Sequence, residues 1–122
     1  MHINVKTSGE VLLTEELRSF VNEKLAKLED LLDPKDSTVM ADVELESKTR
    51  SQRTGNIHRA EINLRFKGGF VRAEASRESM HSAIDEAVDE ARSELRKRGG
   101  KRRDLVRRGA ARIKDFLRKF GA

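Results

Sequence analysis

The stretch "SMHSAID", Ser79 to Asp85, gathers serine, histidine and aspartate into seven positions. These are the side chains from which a nucleophile, a general base and an orienting carboxylate are built. The spacing argues against that chemistry. The stretch opens an apolar pattern of helical period, and along a helix neighbours diverge by ~100° while residues three or four apart share a face. His81 can therefore meet Asp85. Ser82 points away from His81, and Ser79 lies nearly opposite it, so neither hydroxyl reaches the imidazole. The reading is an exposed His81/Asp85 pair with Ser79 as a helix cap. Metal chemistry has no better footing: His2, His58 and His81 fall on three separate elements, without an H-x-x-x-H or a cysteine pair. The "KGG" at residues 67–69 lacks the spacing of a phosphate loop and links two strands. No catalytic residue, metal or cofactor is expected.

What remains is surface charge. The 122 residues carry a net charge of +5, with 39% charged side chains. That total hides an asymmetry: residues 1–100 hold 17 Lys and Arg against 19 Asp and Glu, net −2, whereas residues 101–122 hold 9 against 2, net +7. Clustered cations of this kind displace counterions from phosphates, which points to a polyanionic partner. Aromatic residues make up 4%, with no Trp or Tyr, so recognition by base stacking is disfavoured. Cysteine is absent, which removes disulfides and thiolate sites and suits a reducing compartment. No apolar run of ~18 residues and no charged-then-apolar leader occurs, so a cytoplasmic protein without a membrane partner is expected.

The elements that must position these charges can be read from periodicity. "MHINVK" alternates as a short strand. Thr14 caps a helix with Glu15 and Glu16 in its first turn, and Leu17, Phe20, Val21, Leu25, Leu28 and Leu32 form its apolar stripe. Asp33-Pro34 ends it. "TVMADVELES" alternates with Val39, Ala41, Val43 and Leu45 inward and Asp42, Glu44 and Glu46 outward. After the polar loop "KTRSQRTGN" come a third strand, "HRAEINLRF", and, past "KGG", a fourth, "FVRAEA". A second helix, capped by Ser76 or Ser79, buries Met80, Ile84, Ala87, Val88, Ala91 and Leu95, and Gly99-Gly100 stops it. The order β-α-β-β-β-α predicts an α+β fold, a four-stranded sheet with two helices on one face. Two regions follow: residues 1–98 as the domain, and residues 99–122 as a Gly-Gly linker with a basic amphipathic helix. In that helix Leu105, Val106, Ile113, Phe116, Leu117 and Phe120 recur among Lys and Arg, interrupted by Gly109.

This arrangement gives the charge a location. Lys24 and Lys27 lie on the first helix, Arg92 and Arg96 share a face of the second, and Lys97 and Arg98 extend its positive end. Side by side, the two helices would form one ridge suited to phosphate contacts and to shape-based recognition of folded RNA. Ordinary surface ion pairs are the competing reading for Lys24 and Lys27.

Three segments carry a family likeness: "MHINV", "TEELRSFVNEKLAKLE", and "HRAEINLRFKGGFVRAEASRESMHSAIDEAVDEARSEL". Together they resemble the ribosome hibernation promoting factor and protein Y family over about residues 1–98. The resemblance implies a non-enzymatic factor that sits on the small ribosomal subunit in the channel for mRNA and tRNA, contacts rRNA through basic helical faces, and silences idle ribosomes. It carries Lys24, Lys27 and Lys97 over as basic contact positions. Glu90, Ser93, Asp30 and His81 depart from the family pattern, which has lysine, arginine, lysine and tyrosine there. Positive charge is instead concentrated at Lys101, Arg102, Arg103, Arg107, Arg108 and Arg112. The chain therefore resembles a short form with its own basic extension, since residues 101–122 are too few to supply the C-terminal domain of long members. The expected partners are the small subunit and its rRNA, with ribosomal protein as a further contact for the extension. Two other readings stay open on the residues alone: a general structured-RNA-binding module, and a protein or membrane-surface adaptor acting through the basic tail.

Overall fold

The computed structural model describes residues 1–49 and 56–98. Its elements are β1 (His2–Gly9), α1 (Glu15–Leu25), a 3₁₀ helix (Ala26–Leu31), β2 (Met40–Thr49), β3 (Asn56–Phe66) and β4 (Gly69–Arg77). A final helix, α2, begins at residue 80 and runs through residue 98. The strands form one sheet in the order β1-β2-β3-β4. β1 runs parallel to β2, and the two following pairs are antiparallel. A parallel neighbour needs a crossover, which α1 and the 3₁₀ turn supply. The β-α-β-β-β-α order read from the sequence is the one observed.

Register explains why one face is dry. Val43 pairs with Ile62, and Ile62 with Ala73; one row along, Ala41 pairs with Leu64 and Leu64 with Val71. All point to the side where Val21, Leu25, Leu28, Ala83, Ile84, Ala87, Val88, Ala91 and Leu95 complete a single core, so both helices cover the same face. Each fully buried Leu or Ile there contributes roughly 1.5–3 kcal/mol relative to exposure.

Two boundaries differ from the expectation. Regular α-helix stops at Leu25 rather than reaching Asp33-Pro34, and the chain continues as 3₁₀. Leu25, Leu28 and Leu31 are spaced by three, so a helix of ~3 residues per turn stacks them on one side. Leu25 and Leu28 are fully buried, and Leu31 packs against the core. The hairpin strands β2 and β3 also extend into the polar stretch expected to be loop, with pairing as far as Thr49 and Asn56.

The ends are fixed by polar contacts. The Thr14 side chain accepts from the Leu17 amide at 3.1 Å, the expected cap. Between the two candidates for α2, Ser79 is the cap, its Oγ accepting from the Ser82 amide at 3.1 Å. Asp36 ties the connection before β2 to the β3–β4 turn, accepting from the Thr38 amide at 2.9 Å and the Lys67 amide at 2.7 Å. These bonds hold its carboxyl below the usual aspartate range, with the Thr38 side chain the largest cause. Gly9 adopts φ 67° where β1 passes against the Ser47 backbone, a position where a side chain has neither the conformation nor the room.

Candidate nucleic-acid interface

α1 with its 3₁₀ extension and α2 run side by side over the sheet, and a line of cross-helix contacts joins their solvent edges. At one end the rings of Phe20 and His81 meet edge to face, centroids 4.3 Å apart. One turn along, Lys24 Nζ lies 3.0 Å from Asp85 Oδ1 and 5.4 Å from the centre of the Phe20 ring. Further on, the Arg92 guanidinium grips Asp30 with both ends, at 2.8 and 3.0 Å, and also donates to the Lys27 carbonyl. A forked guanidinium matched to a carboxylate is a strong, directional form of charged hydrogen bond. Its electrostatic effect runs both ways: Arg92 holds the Asp30 carboxyl below the usual range, and Asp30 raises the guanidinium. Asp85 likewise raises Lys24 above the ordinary lysine value.

These contacts correct the pairing of His81 with Asp85 along one helix, while His81 keeps the solvent exposure expected of it. Asp85 turns to Lys24 on the neighbouring helix, and His81 packs on Phe20. The Ser79 hydroxyl bonds Ser82 and caps the helix. Sequence periodicity could place each of these residues on its own helix, but not match residue to residue across the seam. The only advance signal was opposite charge, two basic and two acidic residues on the edges that meet.

The basic positions singled out from sequence that fall within the described residues divide into three groups. Lys24 and Arg92 are half-buried in the seam and committed to aspartates. Lys97 is exposed, with Glu94 3.4 Å away on the same helix. Lys27, Arg96 and Arg98 are exposed and form no ion pair among the described residues. Arg98 reaches instead to the β3–β4 turn, its Nη1 beside Gly69. Lys101, Arg102, Arg103, Arg107, Arg108 and Arg112 lie outside the described residues. The structure thus places six of the twelve candidates on the two helices and the 3₁₀ turn between α1 and β2, and three of those six form no ion pair among the described residues, although Arg96 adds to the field that holds the Asp30 carboxyl down.

The opposite, open face of the sheet uses charge differently. Glu61 is 6% exposed although it points away from the core. Arg72 Nε lies 2.7 Å and Arg59 Nη2 3.0 Å from its oxygens, and Arg59 also reaches Glu74 at 2.6 Å. Arg59 holds the Glu74 carboxyl below the usual glutamate range. This lattice consumes the charge of Arg59 and Arg72 internally, while Lys6 and Arg65 on the same face are exposed outside it. Among the described residues there is no group of three or more His, Cys, Asp or Glu arranged to hold a metal ion, and no helix is long and apolar enough to cross a membrane.

Comparison with known proteins supplies the family. Residues 3–103 match the model of the Sigma 54 modulation protein / S30EA ribosomal protein family. The chain belongs to this family. Curated relatives include the ribosome hibernation promoting factor of Escherichia coli, 34% identical over 85 residues, spanning 70% of this chain and 79% of that protein. The factor of the same name from Pseudomonas putida is 34% identical over 113 residues, 92% of this chain and all of that one. Among solved structures, the N-terminal domain of Thermus thermophilus Protein Y superposes with a TM-score of 0.66 at 30% identity, covering 80% of this chain and 98% of that one. A ribosomal subunit interface protein from Coxiella burnetii shares the fold, with a TM-score of 0.61 at 18% identity over 82% of this chain and 99% of that one. The family resemblance read from the quoted segments and the four-stranded, two-helix fold both stand.

Proposed function

We propose that this family member is a ribosome hibernation factor: it binds the small ribosomal subunit in the channel for mRNA and tRNA, contacts rRNA through basic side chains, and blocks translation on idle ribosomes by occupancy rather than catalysis. The observation that carries the reading is the match to a ribosome hibernation promoting factor along that protein's whole length. The geometry supports it, because Lys27 and Arg96 offer exposed cations on the helical side, with exposed Lys97 and Arg98 at the end of α2. Such a surface suits phosphate contacts and shape recognition of folded RNA rather than base reading. The +7 segment from residue 101 onward follows the basic end of α2 in the sequence and adds to the chain's positive charge. The cytoplasm is the compartment this function requires.

The test is sedimentation of the purified chain with small ribosomal subunits over a salt series, with and without residues 101–122. The full chain pellets at low salt and is released as salt rises, and the truncated chain retains part of its binding. Absence of association at low salt, or equal affinity for arbitrary RNA hairpins, overturns the reading. Loss of all binding on truncation would assign the activity to the tail alone.

A further inference from the structure

The residues best placed to grip phosphate in the middle of the helical ridge are already occupied. Arg92 is held by both oxygens of Asp30, at 2.8 and 3.0 Å, and Lys24 by Asp85 at 3.0 Å. In each pair the cation is the more enclosed member: Lys24 is 21% exposed against 46% for Asp85, and Arg92 23% against 64% for Asp30. The carboxylates therefore lie on the outer side, between their cations and solvent. A carboxylate offers a guanidinium two oxygens in a plane, the same approach that a phosphate offers.

We infer that Asp30 and Asp85 are built-in competitors for phosphate, covering Arg92 and Lys24 in the free protein and yielding them to the RNA backbone on binding. The inference rests on the ribosome-binding reading above and adds to it a determinant of affinity: two acidic side chains that set how much of the ridge's positive charge a nucleic acid meets. Exchange is feasible because the carboxylates stand open to solvent, 46% and 64% exposed, and a phosphate returns to each cation the same charged acceptor geometry that it gives up. It is selective because only a ligand with several phosphates in register recovers both cations at once. A short or isolated anion gains one contact against the chelating carboxylate and is disfavoured. The pairs also join α1 to α2, so in the free state they brace the seam.

The experiment compares binding of the full-length wild type with the Asp30→Asn and Asp85→Asn variants on small ribosomal subunits across a potassium chloride series. Thermal unfolding is measured alongside to confirm that each variant is folded. Each substitution tightens binding by roughly two- to five-fold, the strength of an exposed pair. Each also steepens the dependence of log affinity on log salt by about one phosphate contact. The gain of Asp30→Asn disappears in an Arg92→Ala background, and that of Asp85→Asn in a Lys24→Ala background. Glu29→Gln, which removes an equal charge from the exposed neighbour of Asp30, has the smaller effect of charge alone. Unchanged or weaker binding by folded Asp30→Asn and Asp85→Asn overturns the inference. So does an equal gain from Glu29→Gln, or a gain that persists without Arg92 and Lys24. Failure of the wild type to bind is a different result: it removes the ribosome reading itself, whatever the variants do.

Discussion

On the open face of the sheet, Glu61 is buried between Arg59 and Arg72, and the same arginines reach on to Glu74. On the helical side, Lys24 and Arg92 each lean on a single aspartate across the seam, while Lys27, Arg96 and Arg98 are exposed and form no ion pair among the described residues. Both regions are rich in charge and rest on the same core. What differs is whether a cation is locked into a lattice with a nearly buried anion or held by an outlying carboxylate that solvent and ligand can reach. The first arrangement makes charge structural. The second leaves it available, so net charge by itself does not locate a nucleic-acid surface; the partners of each cation do.

The largest expected effect removes the foundation of both faces. Leu64 is fully buried between Ala41 and Val71, and Leu64→Ala lowers unfolding stability by about 2–5 kcal/mol, read from denaturant midpoints. A smaller change separates the faces. Glu61→Ala strips the lattice of its buried anion and leaves Arg59 and Arg72 crowded, at about 1–3 kcal/mol of stability, with ribosome binding by the folded variant held within two-fold of wild type. A loss of binding comparable to that of the helical-side variants would blur the contrast.

Acid gives a milder probe. Asp30, Asp36 and Glu74 all have folded pKa values below their ordinary ones, so the stability they provide is present above the unfolded carboxylate pKa and is lost as pH falls through the folded values. Thermal stability should therefore hold across neutral pH and decline only below about pH 4. In Asp36→Asn the decline is shallower because one of the three groups no longer titrates. A stability loss centred between pH 6 and 7 would point to histidine instead.

The sheet and its dry face were legible in the sequence because alternation in "VMADVELES" and "HRAEINLRF" fixes which side is apolar, and the pairing of Val43 with Ile62 follows from keeping both on that side. Ser79 and Thr14 were legible as caps because capping is local. The seam was not. Lys24–Asp85 and Arg92–Asp30 join residues 61 and 62 positions apart, and their meeting depends on the offset between two helices that only core packing sets. The neighbour of His81 was hidden for the same reason: its own helix faces it outward, where it is exposed, and the ring beside it belongs to Phe20 on the other helix. The 3₁₀ turn escaped notice because leucines at three-residue spacing also satisfy an α-helical stripe until the chain's path to β2 demands the tighter form.

The central claim is that the helical side, not the open face, meets the ribosome, and a charge-matched comparison tests it most directly. Lys27→Ala/Arg96→Ala removes two exposed cations from the helical side, and Lys6→Ala/Arg65→Ala removes two exposed cations from the open face. Affinity for small ribosomal subunits is measured for both at one fixed, low salt concentration. The account predicts a loss on the order of ten-fold for the helical-side pair and less than about two-fold for the open-face pair. Equal losses, or a larger loss from the open-face pair, would contradict it.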